Sequence, residues 1–394
     1  MRNILRNFMS PKGLAVFTIL LFLLNFSSKV VKEVFFIRIY FYPSTLLKLA
    51  AVVFLLVYFI MYMKSNKFTK YIYILCAIFG IDFLLKIMQQ VPVEVLYNRF
   101  YFFMKGLFFY LCVITFKDLK KEHLEKTVKT LFVVAKINLI LSIFGVLLEI
   151  NLFKSYPNSS RFGFNGIIAE PGIGTYFYIL LATISYLKYR YQKSSYITLI
   201  LMILAILLLG TKSGYLFIGI LGLIHMLYLL KKQIYQVTFI SILALAGYLL
   251  KDKLIQLAVN SFNFGPVLYE KHGLITFVSS KRDLLLKETV EYMNEHWSII
   301  NYLIGGMDFK IHRVEFEFID VFLFHGVIGV CMYLLVLKKI FLTGKKKLPY
   351  TLLFLTVLLI SALTGNLFFS ITNSFCFIIV FLYLDKSLLV NNIE

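Results

Sequence analysis

Residues 196–230 read YITLILMILAILLLGTKSGYLFIGILGLIHMLYLL, two apolar runs joined at Gly210-Thr211-Lys212-Ser213-Gly214. Neither run contains Asp, Glu, Lys or Arg, and each is near the length of a helix that crosses hydrocarbon. The join is too short for anything but a tight hairpin with Lys212 at its tip. Similar runs recur at about 13–28, 45–63, 71–91, 100–116, 131–150, 168–187, 234–250, 316–337, 350–365 and 368–385. At about 20 residues per span this predicts an all-α, polytopic integral membrane protein with about twelve transmembrane helices. The last two runs are separate helices, because one helix over 350–385 would be about 54 Å long, and Thr364-Gly365-Asn366 offers a turn between them.

Composition agrees. Of 394 residues 60% are hydrophobic, 17% aromatic and only 15% charged, which excludes a soluble globular protein. Twelve spans leave about 150 residues for everything else, so any chemistry sits in the loops and cavities of one integral domain, 1–394. The net charge of +21 is spread over connections rather than gathered on a soluble patch, which excludes nucleic acid as a partner and points to topogenic charge with secondary contacts to anionic membrane lipid. Basic residues recur in alternate connections: Arg2, Arg6 and Lys12; Lys64, Lys67 and Lys70; the stretch from Lys117; Lys188, Arg190 and Lys193; Lys231 and Lys232; Lys338 through Lys347. The positive-inside rule then places both termini in the cytoplasm and residues 251–315 outside, as the one large extracytoplasmic loop. The first run has no small-residue cleavage site and reads as an uncleaved anchor. Cys76, Cys112, Cys331 and Cys376 lie in apolar runs without CxxC spacing and read as packing residues, with no metal and no cofactor implied.

Four polar features fall on the outer side. SSRFGFNGIIAEPGIGTYF (159–177) sets Arg161 before a Gly-rich approach to a helix beginning at Glu170-Pro171. LLLGTKSGYLFIGI (207–220) places Lys212 beside helix-starting amides, a natural anion site. Lys281-Arg282 falls in SSKRDLLLKETVEYMNEHWSII (279–300), whose Leu284, Leu285, Val290 and Trp297 fit an amphipathic helix lying on the membrane surface, and LIGGM (303–307) follows as a turn. HRVEFEFIDVFLFHGVIGV (312–330) brings His312, Arg313, Glu315, Glu317 and Asp320 to the mouth of a span, where each charge near the bilayer centre costs about 2.5–3.5 kcal/mol unless it meets a wet cavity or a cation. Each feature also fits a plainer role as a cap, a snorkelling cation or a solvated helix mouth. Inside the spans, Asp82 and Lys86 are spaced to pair at i,i+4, while Lys105 and Lys136 stand alone. His123 and His272 read as solvated, His225 as packed. There is no Walker loop, HExxH helix, GxSxG elbow or Asp-rich nucleotide-sugar motif.

In this order, RFGF…EP, the TKSG hairpin, one large late loop and VEFEFIDVFLFHGVIG, the layout resembles the bacterial O-antigen and capsular polysaccharide polymerases and the related O-antigen ligases. The resemblance covers about 155–337; the earlier spans match only in hydropathy. Lys212 stands where relatives commonly carry Arg, and Glu315 and Glu317 stand where ligases show His followed by Asn, which favours a polymerase. The resemblance implies a metal-independent glycosyltransferase at the outer face of the bacterial cytoplasmic membrane. It would join polyprenyl-diphosphate-linked oligosaccharides, with a flippase and chain-length regulator proteins as partners. Arg161, Lys212, Arg282 and Arg313 would hold the diphosphate, and Glu170, Glu315, Glu317 or His312 would act as base. A lipid-linked oligosaccharide flippase or polysaccharide exporter is the alternative from another class, kept open by Asp82, Lys86, Lys105 and Lys136.

Overall fold

A computed structural model describes residues 7–37, 42–62, 68–157, 161–192, 194–262, 265–309, 311–343 and 348–388. Arg2, Arg6, Lys64, Lys67, Lys193, Lys345, Lys346 and Lys347 of the expected basic connections, and Ser159 and Ser160 of the first motif, lie outside the described residues. Among those described the chain is all-α. Its helices are α1 Pro11–Glu33, α2 Pro43–Tyr62, α3 Thr69–Met88, α4 Val93–Phe116, α5 Lys121–Leu147, α6 Pro171–Gln192, α7 Ile197–Leu209, α8 Lys212–Leu229, α9 Gln233–Leu249, α10 Lys251–Asn260, α11 Gly265–Ser279, α12 Arg282–His296, α13 Ile299–Ile304, α14 Glu317–Leu337, α15 Leu348–Thr364 and α16 Ile371–Leu388. Each apolar run of the sequence lies on a helix of its own. Seven of them, α1 to α5, α8 and α14, are long and apolar enough to cross a membrane, or eight if α9 and α10, which meet at 70°, form one bent span. The protein is an integral membrane protein.

Local chemistry sets the boundaries. Ser10 caps α1, its hydroxyl accepting the N–H of Gly13 at 3.0 Å with Pro11 in the first turn. α7 ends on Gly210 in the left-handed region (φ 66°), and Thr211 caps α8 at once, so the expected hairpin is as tight as its sequence demands. α15 and α16 are separate, turning through Gly365 and Asn366 at φ 63° and 64°.

α16 is the axis, buried along nearly its whole length among α4, α5 and α6. Lipid is as apolar as leucine, so this packing gains from close van der Waals fit rather than from escape from water. Aromatic pairs supply part of it, as where Phe116 of α4 meets Phe375 at 6.0 Å and Phe354 of α15 meets Phe381 at 4.9 Å. α9 buries no residue and lies at the periphery.

Residues 251–315 are not an open loop but carry α10 to α13. Where their end crosses α14, two glycines let the backbones touch. A Cβ on Gly326 (φ 66°) would lie 2.2 Å from the Leu303 carbonyl, and one on Gly305 (φ 82°) 2.4 Å from that of Phe324, while the N–H groups of Gly306 and Met307 donate to Leu323 O at 3.1 and 3.0 Å.

Several sequence expectations change. Asp82 does not pair with Lys86, whose ammonium donates to Gln89; it pairs with Arg99 of α4, because both are buried and face one another across the helices. The expected amphipathic segment is helical as α12, which buries Thr289 and Met293 and leaves Leu285 and Val290 exposed, with Trp297 just past its end. Cys76 and Cys331 face outward rather than into the core. His123, at the first turn of α5, has its Nδ1 shut off from solvent. His225 packs on Tyr186 and Tyr189 as expected, and Lys136 is exposed on α5.

Candidate functional site

Contacts sort the connections to two ends of the bundle. At one end Lys29 of α1 donates to Asn165 at 2.7 Å, Lys212 donates to Phe277 O, and Arg313 donates to Asn366. The described parts of the 148–170 connection, the α7–α8 hairpin, helices α10 to α13 and the α15–α16 break therefore share that end. At the other, Lys386 donates to the carbonyls of Lys117 and Leu119, and Lys339 to Tyr71.

At the first end Arg161 and Lys212 line one cavity of about 490 Å³, together with Lys271, His272, Lys281, Phe262 and Phe277. Its described lining contains four cationic side chains and no carboxylate. Lys212 is the first residue of α8, positioned by the cap in which the Thr211 hydroxyl accepts the Gly214 N–H and bonds the Thr175 hydroxyl at 2.9 Å. Its ammonium also donates to Ser280 at 3.2 Å and lies 4.2 Å from the Phe277 ring centre. The Arg161 guanidinium donates to Gly210 O at 2.9 Å and stacks between Tyr156 (4.1 Å) and Phe262 (5.1 Å). Burial pushes the Tyr156 phenol above its ordinary value, against the pull of Arg161 beside it. The Gly210 and Phe277 carbonyls and the rings beside them orient these two side chains.

The turn between α11 and α12 presents Lys281 to this cavity. Ser280 and Lys281 both stand in the left-handed region, at φ 58° and 72°. Asp283 holds the turn, accepting the hydroxyls of Ser279 at 2.6 Å and Thr276 at 2.5 Å. Burial works against its charge, yet these hydrogen bonds and two backbone N–H groups keep its carboxyl below the ordinary value.

Arg282 is the next residue, and it pairs with Glu315 through Nη2 (3.0 Å) and Nε (3.3 Å). Glu315 is itself left-handed at φ 62°, a strain of about 1–3 kcal/mol for a non-glycine residue. It is pinned from two sides. Asp320 Oδ1 accepts the N–H groups of Val314 (3.1 Å) and Glu315 (3.2 Å), and the Gly365 turn abuts its carbonyl closely enough that a Cβ there would lie 2.7 Å from it. Arg313 spans Asp320 (3.3 Å) and Asn366. Glu317 is fully buried, its two oxygens accepting the N–H groups of Leu367 and Phe368 at 2.6 Å each. Glu317 and Asp320 thus hold backbone, whereas Glu315 remains partly accessible.

The other two base candidates stand apart. Glu170 is exposed and lines a separate cavity of about 380 Å³ with Lys29, Lys32, Glu33 and Lys154, beyond the Tyr156 ring on which Arg161 stacks. His312 packs against the Tyr292 ring at 4.2 Å, and His296 stacks on the same ring at 4.3 Å. The structure therefore gathers Arg161 and Lys212, brings Arg282 with Glu315 beside them through Lys281, and assigns Arg313, Asp320 and Glu317 to one buried network.

Sequence reading missed Lys271, Phe262 and Phe277, whose part depends on how α11 folds back over the hairpin. It also missed Arg99, which bonds Asp82 and, through Nη1, the carbonyls of Gly306 (2.8 Å) and Met307 (3.3 Å). Only the cost of an unpaired buried Asp82 pointed to such a partner. Lys48, which donates to Asn25 at 2.8 Å, went unremarked inside an apolar run. No family model, curated protein or solved structure matches the chain.

Proposed function

We propose that the protein is a polysaccharide polymerase, joining polyprenyl-diphosphate-linked oligosaccharide units at the outer face of a bacterial cytoplasmic membrane. In this reading the chain spans the membrane about twelve times with both termini inside. The observation that carries it is the cavity of Arg161, Lys212, Lys271 and Lys281, which gathers four cationic side chains, with no carboxylate in its described lining, against aromatic walls at the loop end of a membrane bundle. A diphosphate on a polyprenyl chain needs both. Arg161 makes directed contacts to phosphate, and Lys212 adds charge at a helix start.

The chemistry follows. The acceptor hydroxyl oxygen bonds to the anomeric carbon of the donor, the bond from that carbon to the diphosphate oxygen breaks, and polyprenyl diphosphate leaves. The cations stabilise the charge growing on the departing oxygen. Glu315 accepts the hydroxyl proton, oriented by Arg282 and by its strained backbone. Glu317 and Asp320 keep the α14 mouth and the α15–α16 turn in register rather than touching substrate. A flippase supplying the units and a chain-length regulator are the partners this reading calls for.

Lys48 and Lys105 favour one second reading, a lipid-linked oligosaccharide flippase. Both lie within helices, and Lys105 rests only 4.1 Å from the Tyr101 ring centre, inside the bundle. Deleting the gene and resolving surface glycan on a gel separates the readings. Lipid capped with single repeat units is the expected result; unattached polymer identifies a ligase, and lipid-linked units retained inside identify a flippase.

A further inference from the structure

The end of the bundle away from the loops holds a cavity that the transfer chemistry leaves unused. It measures about 580 Å³ and is lined by Phe68, Lys70, Tyr71 and Lys339. Lys339 belongs to the wide turn Lys338–Leu342 that follows α14, a π-type turn of the kind often found at functional positions. From there its ammonium donates to the hydroxyl of buried Tyr71 at 2.8 Å, reaching across to α3. Lys70 lies 5.6 Å from the centre of the same ring, and the Lys117 ammonium lies 4.5 Å from that of Phe68. Among the described residues no carboxylate stands within ion-pair distance of Lys70 or Lys339; the nearest such contact in the group is Asp118 to Lys117, at 4.0 Å.

α3 and α14 pack against one another beneath this cavity, and both turn apolar side chains outward, Ile74 and Ile81 from α3, Leu334 and Leu335 from α14. A pair of uncompensated ammonium groups therefore sits above an apolar strip at a helix end. That is the charge and polarity profile of an anionic phospholipid, phosphate at the lysines and acyl chains along the helices. A zwitterionic lipid fits worse, since its own cation meets Lys70 and Lys339. A free phosphate gains nothing from the apolar strip.

We propose that this cavity binds the phosphate of an anionic phospholipid, gripped by Lys70, Lys339 and the Tyr71 hydroxyl. The site is independent of the transfer reading and stands or falls by lipid binding alone. The test uses the full chain purified in detergent, with thermal unfolding followed during titration with phosphatidylglycerol, phosphatidylcholine or inorganic phosphate. A saturable rise in midpoint is expected with phosphatidylglycerol, with apparent affinity about 30-fold above that for phosphatidylcholine, from roughly two lysine contacts. Inorganic phosphate should leave the midpoint unchanged. The double variant Lys70→Gln with Lys339→Gln should lose the preference, and Lys70→Arg with Lys339→Arg should keep it, which separates loss of charge from loss of fold. Equal rises with both lipids, a full rise with phosphate alone, or an undiminished preference in the Gln pair would each overturn the assignment.

Discussion

Arg161 and Lys212 rest on carbonyl oxygens and aromatic rings, whereas Arg99 and Arg313, equally part of the loop end, rest on the carboxylates of Asp82 and Asp320. The difference separates two uses of a cation in a membrane protein. A guanidinium matched to a buried carboxylate is electrically spent, and its role is to bind two pieces of backbone together, as Arg99 binds α3 to the Gly306 turn. The Lys212 ammonium, held by a carbonyl dipole, a hydroxyl and a ring face, keeps its charge for a ligand. Carboxylates divide the same way: Glu317 is committed to two amides, while Glu315 shares one oxygen with Arg282 and stays partly open.

The largest effect should come from breaking the committed set. Asp82→Asn, leaving Arg99 buried without its partner, should destabilise by about 3–5 kcal/mol. Glu317→Ala, orphaning two amides in the core, should act similarly, by roughly 2–5 kcal/mol. Thermal unfolding in detergent measures both. A Glu317 variant that folds normally yet fails to polymerise would move that carboxylate from backbone support to catalysis.

Next come the cations of the cavity. Arg161→Ala and Lys212→Ala should each slow transfer about 10²–10³-fold with protein level unchanged, the usual loss for one stabilising donor. Arg161→Lys should retain part of the activity if charge alone suffices. Chain lengths on a glycan gel report the result, and wild-type ladders in both alanine variants would remove the cavity from the site.

For Glu315→Gln we expect transfer to be slower by at least about 10²-fold while lipid-linked donor still binds. Loss of donor binding as well would make Glu315 only a partner of Arg282. Normal transfer would pass the proton to His312 or to Glu170 across the Tyr156 wall.

The smallest effect belongs to Asp283. Its carboxyl sits below its ordinary value of 3.8, so its support of the α11–α12 turn is complete above that pH and fades as pH falls through the depressed value. Asp283→Ala should cost about 1 kcal/mol and make that turn equally mobile at neutral and acid pH. Amide hydrogen exchange at Ser280 and Lys281 is the measurement, and protection unchanged by the substitution would argue against the clamp.

What the sequence determined by itself was whatever depends on residues close along the chain. Apolar runs of membrane length gave the helices, Gly210-Thr211 the hairpin, Pro171 the start of α6, and Gly365-Asn366 the final turn, because length, φ preference and capping are local properties. Arg161, Lys212, Arg282 and the Glu315 region were also legible, since charges at the ends of apolar runs need a reason. Only tertiary structure decided which charges remain available. Asp82 has Lys86 four residues away but meets Arg99 from the next helix, and Glu317 looks as reactive as Glu315 until the α15–α16 turn closes over it with two N–H groups. Pairing and burial are set by which helix faces pack together, and a partner seventeen or fifty residues distant along the chain leaves no periodic trace in the sequence.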